Sequence, residues 1–177
     1  SFDVNKPGTK LSELKGGVVG GSLLQGTIKK GEKIEIAPGR KREVEGKTVL
    51  EPIITIAHTL MTGGTITDMA LPGGLIAIGT ELDPTIVKSD SLAGKLVGRP
   101  GQLPPVLDAF DLSMCLLKRA VGTIDEKNVD PLKTNEPLML TVGTATTVGI
   151  ISELRPEWIR VKLKLPVCAD HGQRIAV

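Results

Sequence analysis

The 177-residue sequence has no tyrosine, two phenylalanines (Phe2 and Phe110) and a single tryptophan, Trp158. A sheet that stacks several bases needs several exposed rings, so that mode of RNA recognition is excluded. Histidine is equally scarce. Only His58 and His171 could serve as neutral-pH bases, and neither has a nucleophile and an orienting carboxylate in its neighbourhood of sequence. The two cysteines, Cys115 and Cys168, are far apart and lie in alternating apolar stretches, which rules out paired zinc-ligand spacing and a redox pair and leaves buried thiols as the expectation. A formal charge of +2, from 22 basic and 20 acidic side chains, gives little bulk attraction for nucleic acid. Any RNA contact must be local. No apolar run approaches the roughly twenty residues that cross a bilayer, and Ser1-Phe2-Asp3-Val4 reads as neither a signal nor a transit peptide. The expected setting is the cytoplasm, with no membrane partner.

Nucleotide chemistry is missing in the same way. Gly46-Lys47-Thr48 has the end of a phosphate-binding loop, but that loop needs a glycine where Lys41 stands, a strand before it and a helix after it. Asn5-Lys6 has the start of a guanine-reading motif, yet Gly8 occupies the place of its aspartate. Asp83, Asp125 and Glu126 sit in loops, where solvation accounts for them. No catalytic residue, no metal site and no cofactor of this stretch is expected.

What the sequence does have is punctuation: 21 glycines and 12 prolines leave little room for long helices and favour many short strands. Gly16 to Ile28 repeats glycine in an apolar setting, and Lys33-Ile34-Glu35-Ile36 alternates with period two. Arg40 to Thr48 is charged throughout and reads as a long exposed hairpin loop with Gly46 at its tip. Strands are expected at Pro52 to Ala57, Thr65 to Leu71, Leu75 to Ile78 (apolar on both faces, hence central) and Leu92 to Gly98, with a loop from Thr80 to Asp90. Arg99 to Pro105 carries three prolines and is the clearest linker. Beyond it Phe110 to Leu116, Leu138 to Val142, Gly143 to Ile151 and Ile159 to Val167 alternate again, with a charged loop from Thr123 to Asn135. The expected fold is all-β: two small β-barrels, residues 1–98 and 104–177, joined by a linker at 99–103.

Two basic features remain. Arg160, Lys162 and Lys164 share one side of a strand and could follow a phosphate backbone, although composition favours a solvated outer face. Arg40-Lys41-Arg42 is partly offset by Glu43 and Glu45 of the same segment.

Longer strings carry more. Ser1-Phe2-Asp3-Val4-Asn5-Lys6-Pro7-Gly8-Thr9, then Leu14-Lys15-Gly16-Gly17-Val18 and Gly20-Gly21-Ser22, resemble the start of the second domain of the gamma subunit of archaeal and eukaryotic translation initiation factor 2. Leu71-Pro72-Gly73-Gly74-Leu75-Ile76, Gly79-Thr80, Leu82-Asp83-Pro84 and Lys164-Leu165-Pro166-Val167-Cys168-Ala169 resemble later blocks of the same family. Thr144-Ala145-Thr146-Thr147 and Lys162 to Pro166 have an archaeal look.

The resemblance implies the two barrels that follow a GTPase domain in translation factors, with that domain, its GTP and its magnesium lying before Ser1. It implies a heterotrimer of alpha, beta and gamma subunits that brings methionyl initiator tRNA to the small ribosomal subunit. The beta subunit docks on the GTPase domain in that family and is not assigned here. The alpha subunit docks on the first barrel, and the methionylated 3′ end lies between that barrel and its own GTPase domain. Carried over, Lys15, Gly16, Gly17 and Val18, with Pro72, Gly73, Gly74 and Leu75, face the tRNA 3′ end and the GTPase domain, where glycine admits a ribose and an amino-acid ester. Arg40, Lys41, Arg42 and Lys47 are the expected alpha-subunit contact. The family chain continues past Val177, so the second barrel is expected to lack its C-terminal end. A related GTPase of elongation or selenocysteine delivery is the alternative, and a purely structural fragment is a third.

Overall fold

A computed structural model describes residues 1–10, 13, 15–45, 47–114 and 130–177, with the backbone alone at 41, 44, 47 and 48. Cys115, Asp125, Glu126 and most of the expected loop from Thr123 lie outside the described residues. The protein is all-β. It divides into two compact units, Ser1–Leu103 and Pro104–Val177.

Unit 1 contains β1 (Val18–Ser22), β2 (Ile28–Lys29), β3 (Lys33–Val44), β4 (Lys47–Ile56), β5 (Thr59–Thr62), β6 (Thr65–Thr67), β7 (Met69–Ala70), β8 (Leu75–Gly79) and β9 (Leu96–Gly98). They form three antiparallel sheets, ordered β1-β8-β5-β6, β4-β3-β9 and β2-β7. Alternation decides what each strand buries. Ile34 and Ile36 of β3, Ile53 of β4, Leu60 of β5 and Ile76 and Ile78 of β8 point into one core with Val19, Ala57 and Val87. Each such side chain contributes about 1.5–3 kcal/mol on leaving water, so this core is the main source of the unit's stability.

Three local expectations are corrected. Arg40 to Thr48 is not a loop but the outer half of the β3/β4 ribbon, paired Arg40↔Glu51, Lys41↔Leu50, Arg42↔Val49, Glu43↔Thr48 and Val44↔Lys47. One of these pairs, Arg40 across from Glu51, sets opposite charges directly opposite each other, so a charged segment can still be regular. Thr65 to Leu71 is two strands rather than one, because the Thr67 hydroxyl bonds locally to the backbone of Met69 (2.9 and 3.3 Å) and turns the chain at Asp68. The loop from Thr80 holds a short helix, α1 (Pro84–Val87). Asp83 caps it, accepting from the Thr85 N–H at 2.8 Å and its hydroxyl at 2.7 Å, with Pro84 in the first turn. These two bonds hold the Asp83 carboxyl below the usual range.

Unit 2 is a five-stranded antiparallel sheet of β10 (Val106–Ser113), β11 (Pro137–Val142), β12 (Ala145–Leu154), β13 (Trp158–Cys168) and β14 (Ile175–Ala176), ordered β10-β13-β12-β11-β14. Leu138, Leu140, Ile151, Ile159 and Val161 fill its core. Val167 joins Val142 and Ala169 in a second cluster, and Cys168 is buried beside it in sequence.

Candidate functional site

The two glycine blocks sit on neighbouring strands. β1 pairs with β8 from Val18↔Gly79 to Ser22↔Leu75. Because the strands are antiparallel, Lys15 to Val18 and Pro72 to Leu75 lie at opposite ends of this ladder, about 13 Å apart at the rise of a strand. They do not form one patch.

Their glycines also do different work. At Gly16 a Cβ would fall onto the carbonyl oxygen of Thr80, and at Gly17 onto the side chain of Val87. The Gly17 N–H donates to Leu82 O (2.8 Å), while the Thr80 N–H and hydroxyl both donate to Gly17 O (3.0 and 2.6 Å). The missing side chains thus admit the chain's own backbone rather than a ligand. At Gly73 and Gly74 no atom lies within 4 Å of the Cβ position, so that end is open.

Lys15 is held from the arm. Asn5 uses its whole amide: Nδ2 donates to Lys15 O and Oδ1 accepts from the Lys15 N–H, both at 2.8 Å. The same Nδ2 also donates to Asp3 Oδ1 at 2.7 Å. Further along, Phe2 and Val18 form an antiparallel bridge. The sequence marks Asn5 as a turn former beside Pro7-Gly8; its partner, Lys15, is ten residues on and not legible from that local pattern.

The outer face of the β1-β8-β5-β6 sheet is apolar. Registers place Gly20, Ala77, Met61 and Ile66 in one row across the four strands, with Ser22 and Leu75 in the next. Leu75 is 75% exposed and Ile66 67%. β8 is central in its sheet yet covered on one face only, so apolar alternation did not by itself separate a buried outer face from a bare one.

Arg40, Lys41, Arg42 and Lys47 all lie on the outer ribbon. Glu51 receives both arginines, from Arg40 Nη2 at 3.3 Å and Arg42 Nη1 at 3.4 Å. Three residues, Ala37 to Gly39, bulge opposite Pro52 and redirect the ribbon. A Cβ on Gly39 would meet the Glu51 carbonyl, and the Lys95 ammonium donates to Gly39 O.

The other candidates are occupied. Arg160 forms a fork with Asp111 (2.7 and 2.9 Å), reaches Glu153 at 3.9 Å and lies 5.8 Å over the Trp158 ring. This pairing holds the Asp111 carboxyl low and raises the guanidinium. Lys162 and Lys164 remain exposed without that partner. His58 Nε2 lies 2.6 Å from Glu81 Oε1 on the surface. His171 is exposed in a turn. Among the described residues no cluster of His, Cys, Asp or Glu is arranged to hold a metal ion, and no helix is long and apolar enough to cross a membrane.

Comparison with known proteins converges on one family. Residues 108–177 match the family model described as initiation factor eIF2 gamma, C terminal. Over all 177 residues the chain is 52% identical to translation initiation factor 2 subunit gamma of Methanopyrus kandleri, 55% to that of Methanococcus aeolicus and 50% to that of Thermococcus onnurineus. In each case it covers 100% of this chain and spans 43% of the relative. Among solved structures, the crystal structure of a bacterial selenocysteine-specific elongation factor matches with a TM-score of 0.66 at 21% identity, over 91% of this chain and 22% of that one. This last likeness is one of fold.

Proposed function

From the premise that this chain belongs to the translation initiation factor 2 gamma family, we propose that it is the portion of that subunit that docks the alpha subunit and one side of the methionylated 3′ end of initiator tRNA. The observation that carries this reading is identity at or above 50% along the whole chain with archaeal gamma subunits. The matched length takes in the exposed Pro72-Gly73-Gly74 turn and the arm as well as the core. The proposed work is binding, with GTP and magnesium held by the GTPase domain of the complete subunit. In the complete heterotrimer the barrels would carry the tRNA to the small ribosomal subunit.

The geometry supports a division of labour. The open Gly73-Gly74 end, the row of Gly20, Ala77, Met61 and Ile66 and the neighbouring Leu75 offer an apolar face to a partner surface or an ester. The Lys15 to Val18 end serves as the clamp that fixes the arm against that sheet. The β3/β4 ribbon, with Arg40 and Arg42 held by Glu51, is the proposed alpha-subunit contact.

Mixing the chain with purified alpha subunit tests the reading. A 1:1 complex in size-exclusion chromatography, kept by residues 1–103 alone, is expected. Absence of any complex with either folded species would count against it. The fold likeness to the selenocysteine factor stands at 21% identity and does not favour the elongation alternative.

A further inference from the structure

We infer that Arg99 to Leu103, the segment expected as the linker, is a strap latched onto unit 1 by the carboxylates of Glu32 and Glu35. Pro104-Pro105 is then the whole of the joint to unit 2. Three contacts carry this. Arg99 follows β9 directly, and its Nε donates to Glu32 Oε1 at 2.6 Å. Two residues on, the Gly101 N–H donates to Glu35 Oε2, also at 2.6 Å. Leu103 then packs back onto β9, where a Cβ on Gly98 would lie 2.7 Å from its Cδ2 atom. Gly98 is the register partner of Glu35, so Gly101 and Leu103 both return to one rung of the β3/β9 ladder.

The turn inside the strap is shaped for this. The Gln102 N–H donates to Arg99 O at 3.0 Å, closing a four-residue turn with Pro100 second and Gly101 third at φ +73. Those are the residues a type II turn asks for, and the N–H of its third residue takes no part in the turn's own bond. Glu35 accepts it. Both bonds to carboxylates are charge-assisted, and the Lys29 N–H holds Glu32 as well, at 2.9 Å. The far side of the joint is anchored too: Pro105 O accepts from the Ala169 N–H at 3.3 Å, and Val106 opens β10 opposite Cys168. The boundary between the compact units falls between Leu103 and Pro104. Proline fixes φ at both joint positions, and a residue before proline is kept out of the helical region, so Leu103 and Pro104 retain little rotation. Opening the catch would add five residues to the tether, ~17 Å of reach at about 3.3–3.6 Å per residue. The two carboxylates therefore set the length and stiffness of the joint, a role beyond the docking roles above and independent of them.

The test is backbone amide relaxation of the 177-residue chain by NMR. Order parameters at Gly101, Gln102 and Leu103 should stand at about 0.85, as in the strands, and fall below about 0.6 in Glu32→Ala/Glu35→Ala while the strand amides keep theirs. Arg99→Gln opens the catch from the strap's side without touching β3, and should lower the same three values less far. Asp111→Ala removes the comparable pair with Arg160 in unit 2 and should leave them unchanged. Pro104→Gly/Pro105→Gly should free the joint and leave the strap ordered. Values below about 0.6 in the parent chain would overturn the latch, as would unchanged values in the double carboxylate variant or an equal fall in Asp111→Ala. A loosened strap in the proline variant would show that the prolines, not the carboxylates, hold it. Should the double variant fail to fold, Arg99→Gln and Glu35→Ala singly decide the matter, and unchanged values in both would overturn the latch.

Discussion

At the scale of single residues, glycines of the same stretch have opposite meanings. Gly16 is packed against the Thr80 carbonyl, so Gly16→Ala forces backbone to move, whereas at Gly21 nothing occupies the Cβ position. Gly16→Ala should cost roughly 3 kcal/mol, the upper part of the range for overpacking, and Gly21→Ala should fall within about 0.5 kcal/mol of the parent. Chemical denaturation of the two variants separates them; equal effects would mean that the Gly16 contact is not confining. Charge is as local. Glu32 accepts from Arg99 Nε at 2.6 Å and from the Lys29 N–H at 2.9 Å, and these bonds, Arg99 first, lower its carboxyl from the ordinary value. A carboxyl lowered on folding stabilises the native state above its unfolded pKa, and that share is lost as pH falls through the lower folded value. Arg99→Gln should therefore destabilise the chain at pH 7. Its deficit should shrink below about pH 4, where an unfolded glutamate is already protonated. Melting curves of both chains from pH 7 to 3 would show it, and a pH-independent gap would exclude the pair as the cause.

At the scale of elements, the β3/β4 ribbon separates two roles along one strand. Its inner half buries Ile34 and Ile36 in the core, and beyond the bulge at Ala37 to Gly39 its outer half carries Arg40 and Arg42 on Glu51. Substitutions should divide the same way. Ile36→Ala removes a fully buried side chain and should cost about 2–5 kcal/mol. Arg40→Ala/Arg42→Ala removes two exposed ion pairs, each of little worth to folding, so the melting temperature should hold while binding of alpha subunit weakens at least tenfold by calorimetry. Unchanged affinity would move the alpha contact off the ribbon. The charged composition of Arg40 to Thr48 points to an exposed segment, which the sequence alone does not distinguish from a loop. What it marked was an exposed ladder, and exposure and regularity are independent properties.

At the scale of the whole molecule, the chain has two units with separate cores. It carries neither a glycine-rich phosphate loop nor a base-reading motif, and it spans 43% of its gamma-subunit relatives. It is expected to show no saturable binding of a fluorescent GTP analogue at micromolar concentration. Methionyl initiator tRNA should bind the chain at best micromolar, with little preference for the methionylated form, because one wall of the proposed clamp belongs to the GTPase domain. Losing about 4 kcal/mol of contacts weakens a complex roughly a thousandfold. Filter binding with methionylated and free tRNA checks this, and nanomolar methionyl-dependent affinity would place the whole pocket within these two units.

The sequence by itself determined the class of fold, since glycine and proline spacing with period-two alternation admits little but short strands, and it determined the family, since long matched strings are local facts of the chain. It also determined that Ile34 and Ile36 could face one core, whereas for Leu75 to Ile78, apolar on both faces, only the structure shows that Ile76 and Ile78 are the buried pair. Only the tertiary structure decided which neighbours those strands have. The antiparallel register of β1 on β8 sends Lys15 to Val18 and Pro72 to Leu75 to opposite ends, fills the space beside Gly16 and Gly17 with Thr80 and Val87, and leaves Gly73 and Gly74 open. A glycine in the sequence says that a side chain is absent; what occupies its place is set by residues some sixty positions away, through pairing that no local pattern encodes.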